Sequence, residues 1–470
     1  MENMPITPAL KKNHDALSAV NVKFLEYVQQ HPEWLDRNQF SSLVQWSDST
    51  VIGTLHPWPL FISTHTAREF EKASVSVFEL IKTIPDRVFS FDPAAMSRYY
   101  QLPEAFLRQS LYGLTNKHIS DFLARGDFIY SETGLKCLEC NATSSLGGMQ
   151  SPFWEPLYLQ LPIMAKLIRE LHLKINLKNV IANLIKHLVD ANLKWYPHEE
   201  EMNTAFLLYD LRTMILMSKS GQAKMIDNMY VGALKEKAPR VNGNVIFCLL
   251  EEIEKRDEYL YCHGKRIHAL LDNLRGEEIP FEFLEVLKKE KVLIYNGAVS
   301  RVLSSKLNIA ILSEHEDSEL YSLEEREAIK KYVPWTRKTD PRTTTYKGEE
   351  IDLEHFVKTH KDLLVLKPSQ GYGGKGIQVG GNTAPDQWQE VVGQAFREGT
   401  WVVQERVAIP PLLFQYGENG CAEHESVWGF YVFGSRYGGT WLRVLPTQSS
   451  DGIVNAHKGA KMPIVIEMDE

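Results

Sequence analysis

The sequence predicts a mixed α/β protein, α+β in its layering, with two or three domains or subdomains, and three observations carry that prediction. Leu161, Met164, Leu167, Ile168 and Leu171, then Val180, Ile181, Leu184, Ile185 and Leu188, recur at helical spacing and mark a buried helical layer. Two short runs, Asp127 to Tyr130 and Leu135 to Asn141, flank the turn Ser131-Glu132-Thr133-Gly134 and read as a β-hairpin. Apolar runs on both sides of Gly371-Tyr372-Gly373-Gly374-Lys375-Gly376, within Leu363 to Val379, read as a second, glycine-rich hairpin.

The rest of the chain fits around these three. At 470 residues and 44% hydrophobic content it can bury large cores. A net charge of −8 argues against a nucleic-acid surface as the main partner and leaves room for a local basic pocket. Residues Met1 to Asp15 lack an apolar signal core, and no segment reaches eighteen apolar residues, so the expected setting is soluble and cytoplasmic, away from a membrane. Five scattered cysteines suit a reducing compartment. Cys137 and Cys140 have redox-motif spacing, but strand alternation predicts that their thiols diverge, so a structural role is expected.

Taken in order, Val20, Val22, Phe24, Leu25, Val28, Trp34 and Leu35 suggest a helical start. Ser63 or Thr64 caps an amphipathic helix carrying Phe70, Val77, Phe78, Leu80 and Ile81. Pro103 to Leu123 supplies a short helical stretch before the first hairpin. On that hairpin Arg125 and Asp127 lie on one strand, and Glu139 and Asn141 stand two apart on the other, so they share a face. Two acidic oxygens and an amide oxygen suit a hard cation such as Mg²⁺; read alone, the hairpin is more simply a solvated polar face. Ala142-Thr143-Ser144-Ser145-Leu146-Gly147-Gly148 follows as a donor-rich turn suited to an anion.

Further on, Asn203 to Met217 and Val245 to Leu250 read as core elements, the second a strand opening an α/β unit. Tyr259 to Ile267 reads as a hairpin with His263 in its turn, and both His263 and His268 are expected at the surface. Lys291 to Ala310 reads as strand, turn and a helix with Lys306 at its start. Pro334 to Arg337 reads as a linker and Lys338 to Glu354 as a polar, mobile segment. The glycine-rich hairpin is neither a Walker A loop nor a dinucleotide fingerprint, because a strand follows it; alone, it serves equally as a phosphate cradle or as a turn needing positive φ. Trp401 to Val407, Trp428 to Phe433 and Thr440 to Leu445 are the remaining strands.

Lys306, Lys367, the glycine loop, Glu405 and the much earlier Glu139-Cys140-Asn141 together resemble the ATP-grasp superfamily. A metal-binding Glu-x-Asn placed before the glycine loop is similar to the circularly permuted branch that holds eukaryotic-type glutathione synthetase and bacterial glutathionylspermidine synthase. Arg125-Gly126-Asp127, Gly147-Gly148, Leu442-Arg443 and the loop Asp451 to Ala456 resemble other signatures of that branch. The resemblance spans roughly residues 120 to 470 and is faint between 150 and 290. Gln370 and Gly371 stand where the synthetase has a further metal-binding glutamate, so Asp127 is the candidate third ligand; Asn273 and Arg275 both stand near an expected substrate arginine.

The resemblance implies a permuted ATP-grasp fold with an inserted α/β substrate domain and a helical layer. The expected parts are residues 1–200, carrying the metal hairpin and helices, 201–300, the substrate domain, and 301–470, carrying the glycine lid. It implies a carboxylate-amine ligase that forms an amide through an acyl phosphate and releases ADP and phosphate. An ATP-dependent carboxylate kinase or hydrolase, or a non-catalytic nucleotide binder of the same fold, are the alternatives. ATP contacts would come from Lys306, Lys367, Gly371, Gly373, Gly374, Lys375, Gln404 and Glu405, and Mg²⁺ contacts from Asp127, Glu139 and Asn141. Arg125, Ser144, Ser145 and Arg443 would hold the substrate, with Arg125 and Arg443 also acting in catalysis. Small carboxylates and amines such as amino acids, peptides or polyamines are the expected partners, and a homodimer is open.

Overall fold

The computed structural model describes residues 6–31, 55–115, 121–271, 291–417 and 420–469, together with 286 and 289 and without 145, 150, 151, 153 and 372. Trp34, Leu35, Ser145, Asn273 and Arg275 lie outside the described residues. The architecture is mixed α/β with several sheets.

The strand Gly420–Phe433 is the spine of the largest sheet. Its aromatic and β-branched run, Val427, Trp428, Phe430, Tyr431, Val432 and Phe433, is buried, which suits a strand covered on both faces. Leu412–Tyr416 and Arg436–Pro446 pair with it antiparallel. Its second half also pairs with Leu123–Ser131, which in turn pairs with Gly134–Asn141. Two stretches far apart in the chain thereby bring the early hairpin beside Arg443.

Helix Thr64–Arg87 packs on this sheet. It starts where a cap is available: the Ser63 hydroxyl accepts from the N–H of Thr66, satisfying one orphan donor. Phe70, Val77, Ile81 and Ile84 form its buried stripe, and the Phe70 ring stacks 4.5 Å from Phe430. Helix Val180–Trp195, capped by Asn179, packs on the same sheet.

A second sheet is wholly parallel, in the order Leu293–Tyr295, Ala269–Leu271, Thr204–Leu207, Val245–Cys248. Beside it lies the antiparallel set Ile253–Arg256, Tyr259–Cys262 and Lys265–Ile267, and the two share a small core of their own. A third lobe carries the glycine loop: Thr336–Lys338, Trp401–Glu405, Leu364–Pro368 and Gln378–Val379 form an antiparallel sheet. Helices Leu353–Thr359 and Pro385–Glu398 close its core around Trp388, whose indole N–H donates to the Val357 carbonyl at 2.9 Å.

Four expectations need correction. The presumed linker at Pro334 to Arg337 runs into the strand Thr336–Lys338, which pairs with Trp401–Glu405. The polar segment after it is an ordered hairpin, Thr343–Tyr346 with Glu349–Asp352, turned by Lys347 and Gly348 at φ 50° and 85°. One face of the hairpin packs Tyr346 and Ile351 on the core of this lobe, but two such residues are too few to show an alternation in the sequence. His268 is buried at 1% exposure, its Nδ1 accepting from the N–H of Asn203 at 3.1 Å. Cys137 and Cys140 do not diverge. A register shift after Asp127 inserts an extra residue between them, so strand parity flips and both thiols enter one core cluster.

Among the described residues, no helix is long and apolar enough to cross a membrane.

Candidate functional site

The site grows from the bulged hairpin, where Arg125 lies opposite Asn141 and Asp127 opposite Glu139. Arg125 and Asp127, two apart on one strand, share a face, and the guanidinium Nε donates to Asp127 Oδ1 at 2.8 Å. Arg443, brought alongside by the spine strand, reaches Asp127 Oδ2 at 2.9 Å. Burial pushes the Asp127 carboxyl up, but Arg125 and Arg443 outweigh that and hold it below the usual range. Both guanidinium groups also lie over the Trp441 ring, with centroid distances of 4.7 and 4.5 Å.

The turn after the hairpin is built against the same tryptophan. A Cβ on Gly148 would sit 2.3 Å from a ring carbon of Trp441, and its φ is +86°, so this position requires glycine twice over. Arg125 and Tyr431 both donate to the Gly147 carbonyl. Ser144 is buried, with its hydroxyl donating to the Tyr295 carbonyl at 3.1 Å. Asn296 braces the neighbouring strand by donating to and accepting from the Leu123 backbone.

The other end of the site carries two lysines. Lys306 caps helix Leu307–Glu314, its N–H donates to the Ser369 carbonyl at 2.9 Å, and its ammonium donates to the Gly371 carbonyl at 3.2 Å. That ammonium is also 3.0 Å from Glu139 Oε2. Lys367 donates to Gln404 Oε1 at 2.6 Å. Burial lowers its pKa to about 8, against the pull of Glu139. Glu139 is pushed up by burial and pulled down further by Lys306 and Lys367, so it stays ionised. Gln404 and Glu405 face apart: Gln404 points inward between Lys367 and Thr336, whereas Glu405 accepts from Tyr346 and pairs with Lys347 at 3.0 Å.

Gly371, Gly373, Gly374 and Gly376 all have positive φ, and the loop that carries Lys375 lies against the chain's C-terminal loop. A Cβ on Gly373 would be 3.1 Å from the His457 ring, and one on Gly374 would be 3.0 Å from Ile453. A side chain at either glycine would crowd the facing loop, which would have to give by a few tenths of an ångström, and the positive φ at both positions adds strain.

Arg125, Lys306, Lys367 and Arg443 are buried around Asp127 and Glu139, and 4 − 2 leaves two positive charges in a low-dielectric site. Such a surplus fits a polyanion. For a cation, no group of three His, Cys, Asp or Glu side chains is placed to hold a metal among the described residues. The oxygen donors at hand are the Glu139 carboxylate and the Asn141 amide oxygen; the buried Asn141 Nδ2, a donor without a hydrogen-bond partner, suits an anion. Asp127, in contrast, spends both oxygens on arginines.

Sequence reasoning missed Trp441, Tyr431, Asn296 and the Tyr346–Lys347 turn. Trp441 was findable, since it stands two residues before Arg443 on one strand and so shares its face. Nothing in the sequence pointed Tyr346 and Lys347 at Glu405.

No protein-family model matches the sequence, and no curated protein matches it. Solved structures do. A glutathione synthetase-like effector from Globodera pallida, in its apo form, is similar over 88% of this chain and 90% of its own, with a TM-score of 0.54 and 11% identity. A protein described as a candidate gamma-glutamylcysteine synthetase from Methylobacillus flagellatus is similar over 76% of this chain and 86% of its own, with a TM-score of 0.42 and 12% identity. The first likeness is one of fold.

Proposed function

We propose that this chain is an ATP-dependent carboxylate-amine ligase of permuted ATP-grasp type, working through an acyl phosphate. The observation that carries the reading is the buried cluster of four cations and two carboxylates beneath a glycine loop. Lys306 and Lys367 would bind the β- and γ-phosphates as point charges, and the N–H groups of the Gly371 to Lys375 loop would close over them. Gln404 orients Lys367, and Glu405 would receive the nucleoside after exchanging its contacts to Tyr346 and Lys347. Mg²⁺ held by Glu139 and Asn141 would supply neutralisation of phosphate charge.

At the other end Arg443 and Arg125, with Ser144 and Ser145 nearby in the chain, would take the substrate carboxylate. A carboxylate arriving at Arg443 would replace Asp127 there, while Arg125 keeps hold of both Asp127 oxygens. Substrate carboxylate oxygen then attacks the γ-phosphorus, ADP leaves, and an amine displaces phosphate from the acyl carbon. The close fit of the glycine loop on Ile453 and His457 supports exclusion of water from the acyl phosphate.

One observation favours a second reading. With Asp127 held by two arginines and Glu139 paired with Lys306, each carboxylate at the site already has a cationic partner, which would suit a nucleotide binder without turnover. ATP, Mg²⁺ and a panel of amino acids, dipeptides and polyamines, assayed for ADP and for product mass, separate the two. The ligase gives substrate-dependent ADP, and with amine omitted hydroxylamine traps a hydroxamate that Arg443→Ala abolishes. AMP in place of ADP rejects the mechanism, ADP without substrate or hydroxamate favours the hydrolase, and binding without any ADP favours the non-catalytic reading.

A further inference from the structure

Away from this site, the helix Leu211–Lys219 follows the strand Thr204–Leu207 of the parallel sheet and buries none of its residues. The Asp210 carboxylate starts it, accepting from the N–H of Thr213 at 2.6 Å and satisfying one orphan donor. Met217 packs against the main core. On the outward side Leu211, Ile215 and Lys219 stand four apart in one row, and Arg212 and Leu216 form the row beside it. Leu211, Ile215 and Leu216 are 54%, 42% and 41% exposed, and Met225, on the next helix Gln222–Lys237, is 36% exposed. Four of the eight exposed large apolar side chains among the described residues therefore fall on two helices that pack on each other, which sets them apart from the isolated apolar residues common on any surface.

The charges around this face are of one sign. Arg212, Lys219 and Lys224 are all exposed, and none makes an ion pair among the described residues. From Leu211 to Ile226 there is no aspartate or glutamate, in a chain whose net charge is −8.

We propose that the outward face of helix Leu211–Lys219 docks on an anionic lipid surface and lies in the plane of the headgroups. Leu211, Ile215 and Leu216 enter the acyl boundary, while Arg212 and Lys219 lay their alkyl stems along them and keep their charged heads at the lipid phosphates. Nine residues make a helix about 13 Å long, which suits shallow contact and is far too short to span a bilayer. The charge pattern favours lipid over protein. Two copies meeting through this face in a two-fold contact would set the same cations against one another, and the face has no Trp, Tyr or Phe of the kind that anchors a protein interface. An anionic lipid surface supplies the opposite charge without requiring a fixed geometry.

The test is flotation of the intact chain with vesicles of phosphatidylcholine alone and of phosphatidylcholine mixed with phosphatidylserine. Binding should be roughly a hundredfold stronger on the anionic vesicles, since three cations contribute about fivefold each, and should fall as salt is raised. Hydrogen exchange on the lipid-bound wild-type chain should show protection in residues 211–226, a measurement that needs no variant to fold. Lys219→Gln should weaken binding about fivefold. Ile215→Glu combined with Leu216→Glu should abolish binding and leave the circular dichroism spectrum and Tm at their parental values, because both side chains are exposed. Equal binding to both vesicle types, binding to neither, or protection confined to other residues overturns the assignment. So does a concentration-dependent dimer, seen by light scattering without lipid, that the same double variant dissolves, because the face would then belong to a second copy.

Discussion

Replacing Lys367 with methionine should separate nucleotide binding from stability, because the two depend on its charge with opposite sign. The ammonium is buried at 5% exposure, and its pKa falls from 10.5 to about 8, chiefly through burial. A drop of that size corresponds to roughly 3 kcal/mol by which charging is harder in the folded chain than in the unfolded one. Below pH 8 the lysine is protonated in both states and the whole cost is present; as pH rises from 8 to 10.5 the folded chain releases its proton first and the cost disappears. Methionine removes the cost and leaves Gln404 Oε1 without its donor, a loss of about 1–3 kcal/mol. The unfolding free energy at pH 7 should therefore be unchanged or slightly higher.

Nucleotide binding should fall. A charge-assisted bond to phosphate is worth about 1.5–3 kcal/mol, so calorimetric titration of Mg-ATP should show affinity roughly 10- to 150-fold weaker. In the parent protein, affinity should also decline as pH rises above about 8, where the free site loses the proton that the phosphates need. Unchanged affinity in Lys367→Met refutes the phosphate assignment. A stability loss of several kcal/mol would instead make Lys367 a structural partner of Glu139.

Other outcomes follow from particular contacts. Glu139→Gln and Asn141→Ala should lower turnover by at least a hundredfold and flatten its Mg²⁺ dependence, as steady-state rates against Mg²⁺ will show; a parental Mg²⁺ profile would move the metal elsewhere. Gly148→Ala should displace the Trp441 ring, seen as a shift in its fluorescence, and weaken binding of the carboxylate substrate while sparing ATP. His14, His268 and His424 are buried with pKa values lowered to about 4, so the unfolded chain binds more protons between pH 6.5 and 4 and stability falls as pH drops through that window. At pH 5 the loss is about 2 kcal/mol per histidine, measurable by urea unfolding at pH 7 and 5, and His14→Gln should remove one share of it. Equal stability at the two pH values would contradict it.

Much of the local structure is determined by the sequence alone. Ser63 before a 3.6-residue stripe specifies where helix Thr64–Arg87 begins, and Ser131 to Gly134 specifies the first hairpin's turn, because caps and turns depend on neighbours in the chain. The glycine-rich stretch does form an antiparallel pair of strands for the same reason. Lys306 at a helix start and Lys367 at a strand end could be named because each stands at a local boundary. What tertiary structure decided is where those pieces meet. Strand parity predicted that Cys137 and Cys140 diverge, and one bulge, set by pairing with Leu123–Ser131, reversed it. Arg443 reaches Asp127 only because Gly420–Phe433 pairs with segments from opposite ends of the chain, and Glu405 meets Lys347 only because a polar hairpin folds over its strand. A periodic pattern records which face of an element is buried, since burial repeats with the backbone; it does not record the partner, because any apolar or charged surface of the right shape satisfies the same pattern.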